Sequence, residues 1–135
     1  MKLNSQFLLA ACVVLALGTA PILAHHSYAA EFDANKKITL VGTVTKVEWA
    51  NPHARFYIDA KNDKGVVVNW NFELGSPNGL MRLGWSRNSL KIGSVITVVG
   101  TLAKNSPYVG NASTVTLEGG KRLFAGSSEG DSTTP

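Results

Sequence analysis

The sequence predicts a mainly β fold, a small five-stranded Greek-key barrel carrying one short helix, and three features lead to it. β-Branched and aromatic residues recur at every second position, as on a strand with one buried face. Clusters of Gly, Asn, Asp, Pro and Ser separate those stretches at short intervals. A single helical signal, from Ser76 to Gly84, falls between the third and fourth strands.

Ile38 to Trp49 is the first strand, long and rich in Val, Thr and Ile. Gly42 interrupts it, and a glycine inside a long strand marks a bulge or bend, as where one strand serves two sides of a barrel. In the second, Ala54 to Ala60, Phe56, Ile58 and Ala60 alternate with Arg55, Tyr57 and Asp59. Asn62 to Gly65 is a turn, with Gly65 free to take positive φ. Val66 to Leu74 shows the cleanest period of two, Val66, Val68, Trp70, Phe72 and Leu74 against Val67, Asn69, Asn71 and Glu73. These two segments and their turn form a hairpin.

Ser76 at the cap and Pro77 at the first helical position start the helix, and Gly84 ends it. Trp85 is placed to pack this helix over an open barrel end. Val95 to Leu102 is the fourth strand and Val109 to Leu117 the fifth, joined by a loop at Lys104 to Pro107. Gly119 and Gly120 then turn the chain toward Leu123 and Phe124. A long first strand, and a helix between strands three and four, match the OB type of barrel. An antiparallel β-sandwich is the alternative.

Residues 1–24 have the three parts of a secretory signal: Lys2, an apolar run from Phe7 to Leu17, and Gly18, Thr19 and Pro21 before small Ala24. The run is shorter than the roughly 20 residues that span a bilayer, so no stable membrane anchor is expected after processing. A cut after Ala24 makes His25 the mature N-terminus; a second candidate cut, after Ala30, would remove both His25 and His26. Leu9 to Cys12 resembles a lipoprotein box, but it lies inside the apolar run rather than after it. The expected location is the periplasm or beyond.

Cleavage after Ala24 leaves 111 residues, which suits one domain, 25–124, with a disordered tail at 125–135 that is rich in Ser, Gly and Thr. It also removes Cys12, the one cysteine, and with it any disulfide or thiolate site. Twelve basic residues then face nine acidic ones, a formal +3. The basic residues are scattered, with no basic arm, so no nucleic-acid partner is expected.

His25, His26 and Ser27 followed by Phe32 and Asp33, the run Gly42 to Trp49, Asn51-Pro52-His53, Trp70 with Phe72 and Glu73, Gly75 to Gly79, and Gly84-Trp85 together resemble a family. It is a group of small secreted bacterial proteins known only as a domain of unknown function. The resemblance covers His25 to about Phe124. It implies secretion and a compact β domain, and it brings no activity, ligand or catalytic residue.

The residues that could carry chemistry are few. A free α-amino group on His25, its imidazole and that of His26 form a nitrogen-rich set suited to copper(II) or another divalent transition metal. The bland alternative is a mobile terminus whose histidines bind nothing. His53, after Asn51 and Pro52, stands at a barrel rim where it could add a third nitrogen, or simply bond within its turn. Glu48 and Glu73 are candidate partners for metal-bound imidazoles. Trp49, Asn51, Arg55 and Tyr57 could instead line a face for a non-metal ligand or a protein partner, with the histidines incidental. No Gly-x-Ser-x-Gly elbow, phosphate loop or His-Glu-x-x-His pattern is present, so an enzyme is not expected.

Overall fold

The computed structural model describes residues 28–126. Six strands and a helix follow in the order β1 (Phe32–Glu48), β2 (Arg55–Lys61), β3 (Val67–Glu73), α1 (Pro77–Arg82), β4 (Val95–Ala103), β5 (Val109–Thr116) and β6 (Arg122–Phe124). Neighbours in the sheet run β3-β2-β1-β4-β5-β6, and β3 also pairs with β5. That extra pairing closes β1, β2, β3, β5 and β4 into a ring. The closing pair is parallel, through Asn71↔Val109, Phe72↔Gly110 and Glu73↔Asn111, and the others are antiparallel. The fold is therefore the five-stranded OB-like barrel, and the closed ring excludes the sandwich alternative.

β1 makes the closure possible by serving both sides. Phe32 to Thr43 pairs with β4, and Thr43 to Glu48 pairs with β2. Gly42 sits where the two pairings meet, and a Cβ there would lie 2.8 Å from the Asp59 carbonyl oxygen. The register irregularities fall on either side of Gly42, between Asp33 and Lys37 and between Val44 and Lys46. β1 begins six residues before the Ile38 start expected from sequence, because a bulge and the polar run Asp33 to Lys37 hide the strand period there.

β2 and β3 form the expected hairpin. Asn62 Oδ1 accepts from the backbone N–H groups of Lys64 and Val66, each at 3.0 Å, and Gly65 takes φ 75°. This Asx-type turn fixes the register, so Phe56, Ile58, Trp70 and Phe72 all point inward. Phe56 and Phe72 stack at 5.6 Å in a core completed by Val44, Leu74, Ile96, Val98, Ala112 and Val115.

Ser76 Oγ accepts from Gly79 N–H at the start of α1, and Pro77 occupies the first turn. Leu80 and Trp85 are buried in the core, and Trp85 Nε1 donates to the Phe124 carbonyl at 2.6 Å. α1 and Trp85 thus cover one end of the barrel. β6 is an added short strand paired with β5. Ala125 just beyond it is fully buried, and its N–H donates to the Ser113 carbonyl at 2.9 Å. Ala125 belongs to the packed domain rather than to the tail, because the chain needs it to seat β6; residues 127–135 lie outside the described residues.

Candidate functional site

Strand alternation sends every second side chain outward, and neighbouring strands bring those side chains into rows. One row crosses the barrel as Glu48 (β1), Arg55 (β2), Glu73 (β3), Asn111 (β5) and Thr101 (β4). At its centre Glu73 is almost wholly buried, although it faces outward. One carboxylate oxygen, Oε2, accepts from the Arg55 guanidinium. The other, Oε1, lies 2.8 Å from His53 Nδ1. The imidazole is about one-third exposed.

His53 reaches Glu73 because of the chain around it. The Ala54 N–H donates to the Gly75 carbonyl at 3.0 Å, and the Leu74 N–H donates to the Ala54 carbonyl at 2.8 Å. These two bonds extend the β2–β3 pairing past Arg55↔Glu73, so that residue 53 falls on the same face as residues 55 and 73 and reaches Glu73 diagonally. The Asn51–Pro52 peptide is cis. With Nδ1 carrying the proton toward Glu73, Nε2 is left as an in-plane lone pair, the arrangement found where a carboxylate orients a metal-binding histidine.

The neighbouring group is separate. Tyr57 donates to Glu48 Oε2 at 3.3 Å, and Lys46 Nζ lies 2.5 Å from Glu48 Oε1 and 5.0 Å from the centre of the Tyr57 ring. The hydrogen bond from Lys46 holds the Glu48 carboxyl below the usual carboxylate range, helped by Tyr57 and the Arg55 charge. The same hydrogen bond pushes the Lys46 ammonium above its ordinary value.

The structure therefore brings His53 and Arg55 together through Glu73, and sets Tyr57 alongside through Glu48. Trp49 is half-buried and packs on the edge of the core, and Asn51 is exposed in the turn. His25 and His26 lie outside the described residues. Among the described residues no three His, Cys, Asp or Glu side chains converge as a metal site would need. No helix among them is long and apolar enough to cross a membrane.

Two features had no clear sequence signal. Residues 28–31 form a helical turn on the outside of β4. There Tyr28, only 8% exposed, shares a 2.8 Å hydrogen bond with Thr101 and packs with Phe32, Ala103 and Val109. Lys104 donates to the Ala29 carbonyl, and its backbone N–H to the Glu31 carbonyl at 2.9 Å. The second feature is a pair of amide atoms, Asn71 Oδ1 and Asn111 Nδ2, that are buried without a hydrogen-bond partner.

Comparison with known proteins adds little chemistry. No curated protein matches the chain. Among solved structures, the mitochondrial single-stranded DNA binding protein Rim1 of S. cerevisiae is similar at 13% identity and a TM-score of 0.46, over 61% of this chain and 92% of that one. A family profile matches residues 12–112, most of the chain, and the protein belongs to that family of unknown function (DUF6152).

Proposed function

We propose that the protein is a secreted, periplasmic metal-binding protein that holds copper(II), or another divalent transition metal, between its mature N-terminus and His53. The observation that carries this reading is the His53–Glu73 contact. A buried carboxylate, itself neutralised by Arg55, takes the Nδ1 side of an exposed imidazole and leaves Nε2 to bind. The remaining ligands are the α-amino group and imidazole of His25, with His26 as a further nitrogen. A set of amine and imidazole nitrogens favours copper(II) over harder divalent ions.

One observation supports the N-terminal half. Cleavage after Ala30 would discard Tyr28, with its hydrogen bond to Thr101 and its packing on Phe32 at 5.5 Å. A cut upstream of Tyr28 keeps that anchor. The alternative, a non-metal ligand or protein partner on the face around Arg55 and Tyr57, gains less support. Arg55 is engaged by Glu73 and Tyr57 by Glu48, so neither side chain is idle.

Copper(II) titration into protein beginning at His25, followed by calorimetry and electron paramagnetic resonance, tests the reading. Single-site binding through nitrogen ligands is expected. His25→Ala, His53→Ala, and a form extended by one residue before His25 are each expected to weaken it at least tenfold. Equal, weak binding by all four proteins would sink the proposal.

A further inference from the structure

We propose that the barrel end covered by α1 docks on a membrane surface, with exposed apolar side chains entering the headgroup layer and the arginines around them holding the phosphates of anionic phospholipid. This goes beyond the metal-binding reading and does not depend on it.

The basic residues are scattered in the sequence, yet the fold gathers five of them. From Leu74 to Leu117 the chain carries no Asp or Glu. Within that span Arg82, Arg87 and Lys91 lie at the end of α1 and in the loop that leads to β4, all exposed. Lys121 and Arg122 reach the same end from the β5–β6 turn. Trp85 Nε1 bonds the Phe124 carbonyl there, and Lys91 shares a cavity with Leu117 and Glu118. Among the described residues none of the five forms an ion pair. Glu73 and Glu48, at the adjoining strand ends, are already taken up by Arg55 and Lys46. Glu118 is exposed, so among the described residues five cations at this end face one unpaired carboxylate.

The same end exposes apolar side chains. From Met81 to Asn88 only Trp85 is buried, and Met81 and Leu83 are 52% and 45% exposed. On β6, Leu123 turns inward while Arg122 and Phe124 turn out, and Phe124 is 62% exposed. The two segments adjoin, since a Cβ on Gly126, two residues beyond Phe124, would lie 3.3 Å from Leu83 Cδ1.

A single exposed apolar residue is ordinary on a protein surface. Here such residues sit directly beside arginines, as Met81-Arg82-Leu83 and as Arg122 with Phe124. An interfacial membrane contact needs that combination. Apolar tips suit the boundary of the acyl chains, and guanidinium groups match phosphate oxygens two at a time. A folded acidic partner would instead favour an apolar centre depleted of charge, with the cations at its rim. Contact of this kind is peripheral and reversible, and it needs no spanning helix.

Sedimentation of the protein beginning at His25 with vesicles of phosphatidylcholine and phosphatidylglycerol, and with phosphatidylcholine alone, tests the proposal. Binding to the mixed vesicles that weakens as salt rises is expected, with little binding to the neutral ones. A cation near an anionic surface is worth about a fivefold factor in partitioning, so Arg82→Gln combined with Arg87→Gln should weaken binding about 25-fold. Phe124→Ser should weaken it severalfold through the lost apolar contact. Lys61→Gln combined with Lys64→Gln removes the same charge at the β2–β3 turn, on the opposite end, and should change binding little. All five side chains are exposed, and circular dichroism checks that each variant folds. Absence of binding to the mixed vesicles overturns the proposal. Equal weakening by the two charge variants does so too, as does full binding by Phe124→Ser. Binding to polyglutamate or single-stranded DNA without binding to vesicles also overturns it, and assigns the face to an acidic macromolecule instead.

Discussion

At the scale of single residues, Glu73 is the most constrained polar group on the outer face. Its carboxylate is nearly buried and divided between Arg55 and His53. Glu73→Gln keeps the shape but removes the charge, leaving the guanidinium a poorer acceptor. A loss of about 1–3 kcal/mol is expected, read as a lower urea midpoint with an unchanged slope. Copper affinity should fall as well, because the amide no longer fixes His53 in one tautomer. Glu48 behaves differently. It is exposed, and its carboxyl is held low mainly by the hydrogen bond from Lys46. A depressed carboxyl contributes stability above the ordinary carboxylate range and loses it as pH falls through its own lowered value. Lys46→Gln should therefore flatten the acid side of the stability curve slightly and leave neutral stability almost unchanged. An acid limb that stays equally steep in urea midpoints across that range would count against this assignment.

At the scale of elements, local chemistry and long-range pairing separate cleanly. α1 is set by local signals. Ser76 caps it, Pro77 starts it, and Gly84 at φ 89° releases the chain into Trp85. Ser76→Ala should cost about 1 kcal/mol through the lost bond to the Gly79 N–H, with faster amide exchange confined to the helix. The β2–β3 hairpin was as legible as the helix, since the alternation of Val66 to Leu74 and the Asn62–Gly65 turn together set inward and outward faces. The first six residues of β1 were not. Asp33, Asn35, Lys36 and Lys37 follow no period, because that stretch is bulged and pairs only with β4. β6 is three residues long, too short to show alternation. The site was legible in part for the same reason. His53 and Arg55 stand out by residue type, and Glu73 falls on the outward side of its strand. Their convergence depends on a hairpin register carried two residues past the strand ends. Asn111 sits among Gly110, Ala112 and Ser113, small residues that give no hint of a buried amide. The parallel contact that sets it beside Glu73 joins segments nearly forty residues apart.

At the scale of the whole molecule, everything on the outer face depends on the β3–β5 seam that closes the barrel. The seam is only three residue pairs long, and its middle pair is Phe72↔Gly110. A Cβ at Gly110 would lie 2.7 Å from the Phe72 ring and 2.8 Å from the Thr101 carbonyl oxygen. Neither can yield easily, since Phe72 is fully buried between Phe56 and Trp70 and the carbonyl belongs to β4. Gly110→Ala must therefore part β5 from β3 or tilt the Phe72 ring, at an overpacking cost of about 1–3 kcal/mol. Val98→Ala serves as the comparison. It removes fully buried methyl groups from β4 at a similar cost but leaves the seam intact. The two variants, matched in urea midpoint, should differ in copper affinity and in amide exchange at Asn71 to Glu73. Gly110→Ala should weaken the first and speed the second, because Asn71, Glu73 and Asn111 all ride on the parted strands. Equal effects from the two variants would mean that closure supports the fold but does not organise the face where His53 stands.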